Sequence, residues 1–244
     1  GVIAVAIGVA VMIIAMATAR GLQYEVTKKL ESFSGTFTLK PYSAGEALNL
    51  GEVPEWENTQ FVARQQAVIE RPGVLRNASS YAGLLFKGVF DDFDRSTWKN
   101  YLTKGDWLDL SKPESLVLSE EIARTLSLQL GDTVYGLFPK AGANAQQRRF
   151  VVNGLFDSQY AEFDRSVVLV SGQMMRRLNQ FSEDQVSSVE LFVSEGANID
   201  RAASALIEQL PPEIDLISTR SEQSMLFDWI KLFDLNLLII SLVI

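Results

Sequence analysis

The amino-acid sequence predicts an α+β fold in which a membrane helix and a stalk lead into a sheet-rich domain outside the membrane. Three observations support this prediction. Residues 1–19 carry no charged side chain. Strand patterns near both ends of the remaining chain, with a helix pattern between the last two, fit one split β-α-β unit. A series of short strand patterns lies between these two pieces, which makes the middle of the chain an insertion.

The composition excludes several classes of protein. The 244 residues include 22 Lys and Arg against 30 Asp and Glu, so the net charge is −8 and the pI is about 4.7. A nucleic-acid-binding protein needs a basic face to displace counterions, which so acidic a chain does not provide. The chain has no Cys and no His. Disulfides, zinc-thiolate sites, thiol nucleophiles and the commonest general base are therefore excluded, and we expect no catalytic residue, cofactor or metal.

Both ends of the chain are predicted to enter a membrane. Gly1 to Ala19 would form about 29 Å of helix, close to the hydrocarbon thickness of a bilayer. A signal-peptide core is the alternative, but such cores follow a basic start that is missing here. Leu235 to Ile244 is apolar but too short to cross, so it is predicted to begin a second membrane helix. The alternative for that segment is a buried C-terminal helix of a soluble domain. Because the chain begins without Met and ends within an apolar run, we expect it to be a piece of a longer protein.

Two segments next to the membrane are predicted to be stalks. Arg20 to Phe33 has apolar residues at spacings of four, four and three, which predicts a helix that continues from the membrane and ends at Ser34-Gly35. Asp228 to Asp234 is the matching segment before the second membrane helix. We expect the stalks to relay movement rigidly to the domain, and a Pro or Gly tract inserted near Thr27 to interrupt that relay. The residues assigned to this coupling are Leu22, Val26, Leu30, Phe33, Trp229 and Ile230.

The outer pieces of the domain contain four predicted strands and one helix. The strands are Thr36–Lys40, ended by Pro41, Gln60–Arg71, closed by Arg71-Pro72-Gly73, Ser188–Ser194 and Glu213–Thr219. Residues 60–71 could also form a short helix, but their β-branched content favours a strand. Asn198–Leu210 is predicted to be a helix, because Asn198 suits the N-cap and Pro211-Pro212 stops it.

The middle of the chain is richer in short strands. The candidates are Leu84–Phe90, Ser115–Leu118, Thr133–Phe138, Arg149–Phe156 and Ser166–Val170. Ser119–Leu130 is predicted to be a helix, with Ser119 as its N-cap and Gly131 just past its end. Its buried stripe would be Ile122, Leu126 and Leu130. Gly172–Gln180 is predicted to be a second helix that exposes Arg176 and Arg177.

The segment from Phe90 to Trp107 is rich in acidic and aromatic side chains. Its carboxylates, Asp91, Asp92 and Asp94, lack the spacing and the turn glycine of a calcium loop, so a solvated turn is expected. Its aromatic residues have two interpretations: they could line an apolar groove for acyl chains, or they could pack in the core. These residues are Phe90, Phe93, Trp98, Tyr101 and Trp107.

Two stretches of the sequence together resemble the periplasmic core of the MacB/FtsX superfamily. Ser115–Pro139 (SLVLSEEIARTLSLQLGDTVYGLFP) has the order of elements of that core: a strand, a Ser-Glu-x-x-Ala helix, Gly-Asp and a second strand. Arg148–Ser171 (RRFVVNGLFDSQYAEFDRSVVLVS) follows with a strand, Gly-x-Phe, an acidic loop and another strand. The leading membrane helix and the Trp229-containing run extend the resemblance over essentially the whole chain. Within the superfamily, the sequence is similar to lipoprotein-releasing permeases of the LolC/LolE type.

The resemblance implies a domain organisation. A Porter-like subdomain, the split β-α-β unit, would carry a strand-rich Sabre-like subdomain as an insertion. The implied boundaries are 1–33 for the membrane helix and stalk, 34–73 and 187–221 for the two Porter-like parts, 74–186 for the Sabre-like insertion, and 222–244 for the second stalk and the start of the second membrane helix.

The resemblance also implies a binding site for a partner. In LolC-type permeases, a hook loop between two Sabre strands recruits the periplasmic lipoprotein carrier. The matching segment here is Pro139–Arg149 (PKAGANAQQRR), which is shorter and lacks a second Pro. It is basic in an acidic domain, so it suits an acidic partner or an anionic lipid surface; the alternative is a solvated hairpin turn. The assigned residues are Pro139, Lys140, Gly142, Asn144, Arg148 and Arg149.

The resemblance implies a non-enzymatic permease subunit of an ABC transporter in the bacterial inner membrane, multi-pass, with residues about 34–221 in the periplasm. Lipoprotein release is the expected work. The implied partners are a cytoplasmic ATP-binding subunit, a second permease subunit, a lipoprotein carrier with its lipoprotein, and membrane lipid. The chain lacks a G-x-x-x-x-G-K-[ST] phosphate loop, so ATP would be hydrolysed by another subunit. An extracytoplasmic sensor domain of a two-helix membrane receptor is the alternative function.

Overall fold

The computed structural model describes residues 2–43, 45–56, 59–78, 80–140 and 143–222. The helices are α1 (Val2–Ser34), α2 (Arg95–Lys99), α3 (Glu120–Thr125), α4 (Ala161–Ser166), α5 (Gly172–Asn179), α6 (Ile199–Ile207) and α7 (Thr219–Glu222), with a short 3₁₀ turn at Leu50–Glu52. The strands are β1 (Phe37–Pro41), β2 (Leu48–Asn49), β3 (Val62–Arg76), β4 (Tyr81–Val89), β5 (Leu102–Gly105), β6 (Ser115–Ser119), β7 (Thr133–Lys140), β8 (Ala143–Phe156), β9 (Val167–Ser171), β10 (Gln185–Val186), β11 (Ser188–Val193) and β12 (Ile214–Ser218).

The first element, α1, is one continuous helix, as predicted. Within the described part of the chain, the segment Ile7–Ser34 is long and apolar enough to cross a membrane, with a mean hydropathy of 1.4 over its most apolar window. None of that window is buried against the domain. The helix ends where the sequence predicts, because Gly35 adopts a φ of +76° that other residues rarely accept.

The outer part of the sheet is a split β-α-β unit. Strands β11 and β12 run in the same direction and are connected by α6, while β1 lies antiparallel between them. The Asn198 side chain accepts a hydrogen bond from the Arg201 amide, which caps α6 as predicted. Apolar residues of α6, including Ala202 and Leu206, are buried against the sheet. The predicted α+β class with a split unit is therefore confirmed.

The inserted part closes into a ring of six strands. The pairings run from β3 to β4, β9, β6, β8 and β7, and β7 then pairs back with the last residues of β3. Three phenylalanine side chains, Phe86, Phe138 and Phe150, are fully buried inside this ring, with the first two ring centroids 4.7 Å apart. One strand, β3, pairs with β11 through Val68 and with β7 from Val74 onward, so it belongs to both parts.

The strand β3 is longer than predicted, because it continues through Arg71-Pro72-Gly73. These three residues pair with β4 on one side. On the other side, the pairing with β11 has stopped at Val68 and the pairing with β7 begins only at Val74. Proline is tolerated in a strand where its missing N–H faces an unpaired edge. The prediction that Pro72 closes the strand was therefore wrong.

The helix α3 is shorter than predicted. The Ser119 side chain accepts a hydrogen bond from the Ile122 amide and caps the helix as expected. The helix ends at Thr125, however, and Ser127 adopts a φ of +51°. That turn lets Leu128 pack into the core in place of Leu130, which is exposed. The predicted stripe is thus correct for Ile122 and Leu126 and wrong for its last member.

Two glycines of the ring provide a matched test of its packing. A Cβ at Gly73 would lie 2.9 Å from Phe138 Cδ1 and 3.0 Å from Phe86 Cε2, whereas a Cβ at Gly83 would meet nothing within 4 Å. Gly73→Ala should therefore lower the free energy of unfolding by about 1–3 kcal/mol, because the buried rings cannot move aside. Gly83→Ala should leave it within about 1 kcal/mol. Urea unfolding followed by tryptophan fluorescence measures both values, and equal effects would contradict the packing.

Candidate functional site

The structure places a buried polar group where the stalk meets the domain. The Lys87 ammonium donates to Glu190 Oε1 at 2.5 Å and to the Phe33 carbonyl at 3.1 Å. The Gln66 side-chain amide donates to Glu190 Oε2 at 2.8 Å. We call Phe33, Gln66, Lys87 and Glu190 the stalk anchor. Both carboxylate oxygens and the last turn of α1 are bonded within it.

Three adjacent strands position the anchor. The order β11, β3, β4 puts Glu190 directly opposite Gln66, with Lys87 on the next strand. The Lys87 side chain is 1% exposed and the Glu190 side chain 2%. Removing two charges from water is costly, and the cost is offset only when the charges are paired and their remaining hydrogen-bonding capacity is used. In the anchor, Glu190 accepts through both carboxylate oxygens and Lys87 donates two of its three N–H groups.

The anchor also fixes the end of α1. The carbonyl groups of the last helical turn have no partner within the helix, and the helix dipole makes that end negative. An ammonium group that donates to the Phe33 carbonyl satisfies one such group and complements the dipole. The contact therefore stabilises the helix where it enters the domain.

The Phe33 side chain attaches the stalk by apolar packing as well. It is fully buried, and its ring centroid lies 4.9 Å from that of Trp98, 5.1 Å from that of Tyr101 and 5.0 Å from that of Phe163. Aromatic pairs at these distances stabilise a core beyond their buried area. Phe93 is buried in the same cluster. Four of the five aromatic residues of the segment thus pack in the core around the stalk, which agrees with the second of the two interpretations, while Phe90 packs against the other core cluster.

The acidic residue beside the anchor, Asp94, has structural partners. The Asp94 amide donates to Gln66 Oε1 at 3.4 Å, and the Asp94 carboxylate accepts from Ser96 and forms an ion pair with Arg64. Burial opposes ionisation of Asp94, but the hydrogen bonds from Ser96 and the Arg64 guanidinium outweigh it and lower its pKa. Among the residues that the structure describes, no group of three or more acidic side chains is placed to hold a metal ion.

The chain leaves the domain beside the point at which it enters. The Thr219 hydroxyl, at the start of α7, donates to the Gly35 carbonyl at 2.6 Å, and the Thr219 amide donates to the Thr36 carbonyl at 3.1 Å. Gly35 has no space for a side chain, because a Cβ there would lie 2.9 Å from the Leu191 carbonyl oxygen. The end of α1 and the start of α7 are therefore held together at one place.

Two cavities flank the stalk. One, of about 350 Å³, is lined by Leu30, Phe163 and Tyr160 together with the Lys87 and Glu190 side chains. The other, of about 490 Å³, separates α1 from Tyr101, Gln159 and Tyr160. Burial and the nearby Glu162 raise the pKa of Tyr160. Beside these cavities, the end of α1 is attached by the anchor and the aromatic cluster, and Lys29 donates to Gln159 Oε1 at 3.5 Å.

The predicted coupling residues of the stalk have different environments. Leu30 and Phe33 are buried and Val26 is half-buried, but Leu22 is 60% exposed. The apolar stripe of the stalk therefore contacts the domain only over its last turns. Trp229 and Ile230, the other predicted coupling residues, lie outside the described residues.

The predicted hook-equivalent segment forms part of a long hairpin. The strands β7 and β8 extend through Lys140 and from Ala143, so Lys140 and Asn144 lie in strands rather than in a loop. Pro139, Arg148 and Arg149 are exposed. The Arg149 Nη2 atom lies 3.9 Å from Glu114 Oε1. Gly142 lies outside the described residues. The predicted loop of Pro139–Arg149 was therefore too long, because both strands continue beyond their predicted ends.

Sequence reasoning missed Lys87, Glu190 and Gln66. A signal was present: Lys87 is the one charged residue of the apolar strand pattern LLFKGVF, and Glu190 is the one charged residue of SVELFVS. Opposite charges in two buried strands predict an ion pair if the strands are close, because charged side chains are rarely buried alone.

Comparison with known proteins assigns the fold to a family. The profile described as "MacB-like periplasmic core domain" matches residues 2–209. The lipoprotein-releasing system transmembrane protein LolC of Xylella fastidiosa strain 9a5c is 24% identical over 204 residues, and that of strain Temecula1 is 25% identical over 206 residues. Each match covers 78% of this chain and 47% of the relative, so the chain spans about half the length of these curated relatives. The crystal structure of the periplasmic region of MacB from Actinobacillus actinomycetemcomitans superposes with a TM-score of 0.52 at 14% identity, over 78% of this chain and 91% of that one.

The stalk anchor predicts a particular pattern of mutational effects. Lys87→Met leaves Glu190 buried without its cation and should lower the free energy of unfolding by about 3–5 kcal/mol. The double variant Lys87→Met/Glu190→Leu should lose clearly less, because no unpaired charge remains. Urea unfolding in detergent measures both.

The ion pair between the exposed Lys104 and the half-buried Glu120, with its charged atoms 3.4 Å apart, provides the control. Lys104→Met should change the free energy of unfolding by less than about 1 kcal/mol. If the double variant Lys87→Met/Glu190→Leu were as unstable as Lys87→Met, the loss of stability could not be attributed to an unpaired buried charge on Glu190.

Proposed function

Because this chain belongs to the MacB-like periplasmic core domain family, we propose that it is part of the permease subunit of an ABC transporter. The domain would lie in the periplasm, and α1 would cross the inner membrane. The permease itself would not be catalytic and would carry out periplasmic work driven by ATP hydrolysis in a partner. The proposal extends to lipoprotein release, which the names of the LolC relatives support.

The observation that carries this proposal is the stalk anchor at the end of an unbroken helix. The part of α1 from Arg20 to Ser34 would be about 22 Å long, and it ends in both a hydrogen bond from the Lys87 ammonium and an aromatic attachment. A continuous helix fixed at its end is a stiff connection. Movement of the membrane helices would thus move the domain, without a hinge at the boundary.

The proposed partners follow from the same assignment. A cytoplasmic ATP-binding subunit would supply the energy and a second permease subunit would complete the transporter. A periplasmic lipoprotein carrier would bind at the β7–β8 hairpin, where Pro139, Arg148 and Arg149 are exposed. The division into Porter-like parts at 34–73 and 187–221 and a Sabre-like insertion at 74–186 is part of this proposal.

The transporter assignment predicts co-purification with an ATPase. The full-length protein, extracted from membranes in mild detergent and isolated by an affinity tag, should bring down a protein with a G-x-x-x-x-G-K-[ST] motif in near-stoichiometric amount, identified by mass spectrometry. Lipoprotein retained in the same complex would support lipoprotein release. Recovery without any ATPase, or with a signalling module on the same polypeptide, would contradict the permease assignment.

The stiffness of the stalk predicts that a helix break will uncouple transport from ATP hydrolysis. Thr27 is buried, so an insertion there would also disturb packing; Tyr24 is 60% exposed and allows a cleaner change. Tyr24→Pro removes one helical hydrogen bond and kinks the helix at a cost of about 3 kcal/mol. We expect ATP hydrolysis by the complex to persist while release of a bound lipoprotein falls at least about tenfold.

The matched control is Tyr24→Ala, which removes the same side chain and keeps the helix. It should retain both activities. Equal transport by the Pro and Ala variants would show that the stalk does not act as a rigid connection.

A further inference from the structure

The Arg71 guanidinium connects three acceptors from two elements. Its Nη1 atom donates to the Leu178 carbonyl at 3.2 Å and to Asn179 Oδ1 at 3.0 Å, at the end of α5. Its Nη2 atom donates to the Pro139 carbonyl at 2.7 Å, on β7. The Arg71 side chain thus bridges the end of a helix and the turn end of the β7–β8 hairpin.

The surrounding structure explains why each of these three oxygen atoms can accept a hydrogen bond from Arg71. The Leu178 carbonyl belongs to the last turn of α5, which ends where Gln180 adopts a φ of +60°. The Asn179 amide donates to the Met175 carbonyl at 2.9 Å, which turns its Oδ1 toward the guanidinium. Pro139 lies at the irregularity in the β7–β8 pairing between Phe138 and Lys140.

The helix α5 is itself fixed closely to the sheet. A Cβ at Gly88 of β4 would lie 2.7 Å from Met175 Cγ, and a Cβ at Gly172 would lie 2.7 Å from the Phe90 ring. Such close approach leaves α5 little freedom to slide over β4. Gly88 directly follows Lys87 of the stalk anchor. A continuous series of contacts therefore leads from the end of α1 through α5 to the hairpin.

The bridge needs the shape of an arginine side chain. A planar guanidinium presents several N–H groups in a fixed fork, so it can donate to acceptors on two elements at once. A lysine ammonium is a point charge on a flexible stem and would not hold the same arrangement. Burial lowers the pKa of Arg71, but a guanidinium remains charged throughout the range in which proteins are folded.

We propose that Arg71 is a positioning residue that fixes the β7–β8 hairpin to the end of α5. It holds the hairpin in one orientation relative to the sheet that carries the stalk. This role concerns the hairpin itself and does not depend on which partner, if any, binds there. It differs from a contribution to general stability, because it predicts local loosening of the β7–β8 pairing while the pairings of β6 in the ring stay closed.

Hydrogen exchange of the full-length protein in lipid nanodiscs tests the proposal. In Arg71→Gln, the amides of residues 143–149 should exchange about tenfold faster, as expected for the loss of charge-assisted hydrogen bonds. The amides of β6 should be unchanged. Arg71→Lys should resemble Arg71→Gln rather than the parent protein, because a point charge does not restore the bridge.

The control and the second variant distinguish the alternatives. Arg177→Gln removes an exposed positive charge from the same helix α5 and should leave exchange of residues 143–149 within about twofold. Asn179→Ala leaves Arg71 in place and removes one acceptor, so it should accelerate the same amides about threefold. It remains informative if Arg71→Gln does not fold. Unchanged exchange of the hairpin, equal acceleration in β6, or full protection in Arg71→Lys would each overturn the proposal.

Discussion

The buried ammonium group of Lys87 is the constraint on which the arrangement of this protein depends. A charge that is removed from water has to be paired and hydrogen-bonded, or it destabilises the fold. The two partners of Lys87 come from distant parts of the chain: Glu190 from β11 and the Phe33 carbonyl from the end of α1. Both reach it only if β11 lies beside β3 and if α1 ends above the sheet at Ser34. One interaction therefore specifies the strand order and the docking of the stalk together.

The long strand β3 connects the stalk anchor to both parts of the domain. Its first half pairs with β11 in the split unit and its last residues pair with β7 in the closed ring. The two parts of the domain consequently have one strand in common and do not only contact each other. Because a strand is stiff along its length, β3 connects the two parts rigidly. The Arg71 bridge lies midway along β3, at the point where the pairing passes from one part to the other. The stalk, the split unit and the hairpin are thus built on one continuous element.

Much of the fold could be predicted from the sequence because it is determined locally. Alternation identified the strands of the split unit, and the side chains of Asn198 and Ser119 cap their helices as their positions predicted. The errors arose where distant residues decide. Pro72 is accommodated in β3 because it pairs with β4 on one side and faces an unpaired edge on the other. The helix α3 ends early because Leu128 packs in the core. The anchor was missed for the same reason: Lys87 and Glu190 are 103 positions apart, and only the strand order brings them together.

The hydrogen bond between Thr219 and Gly35 has a consequence for how such a protein can change over generations. Because Thr219 is hydrogen-bonded to Gly35, the two ends of the folded domain, at the end of α1 and the start of α7, are adjacent. Domains with neighbouring termini tolerate being inserted, enlarged or replaced as units. Everything between Gly35 and Thr219 could thus be remodelled as one unit without moving the end of α1. The domain is therefore a unit that can be replaced without altering the position at which α1 ends.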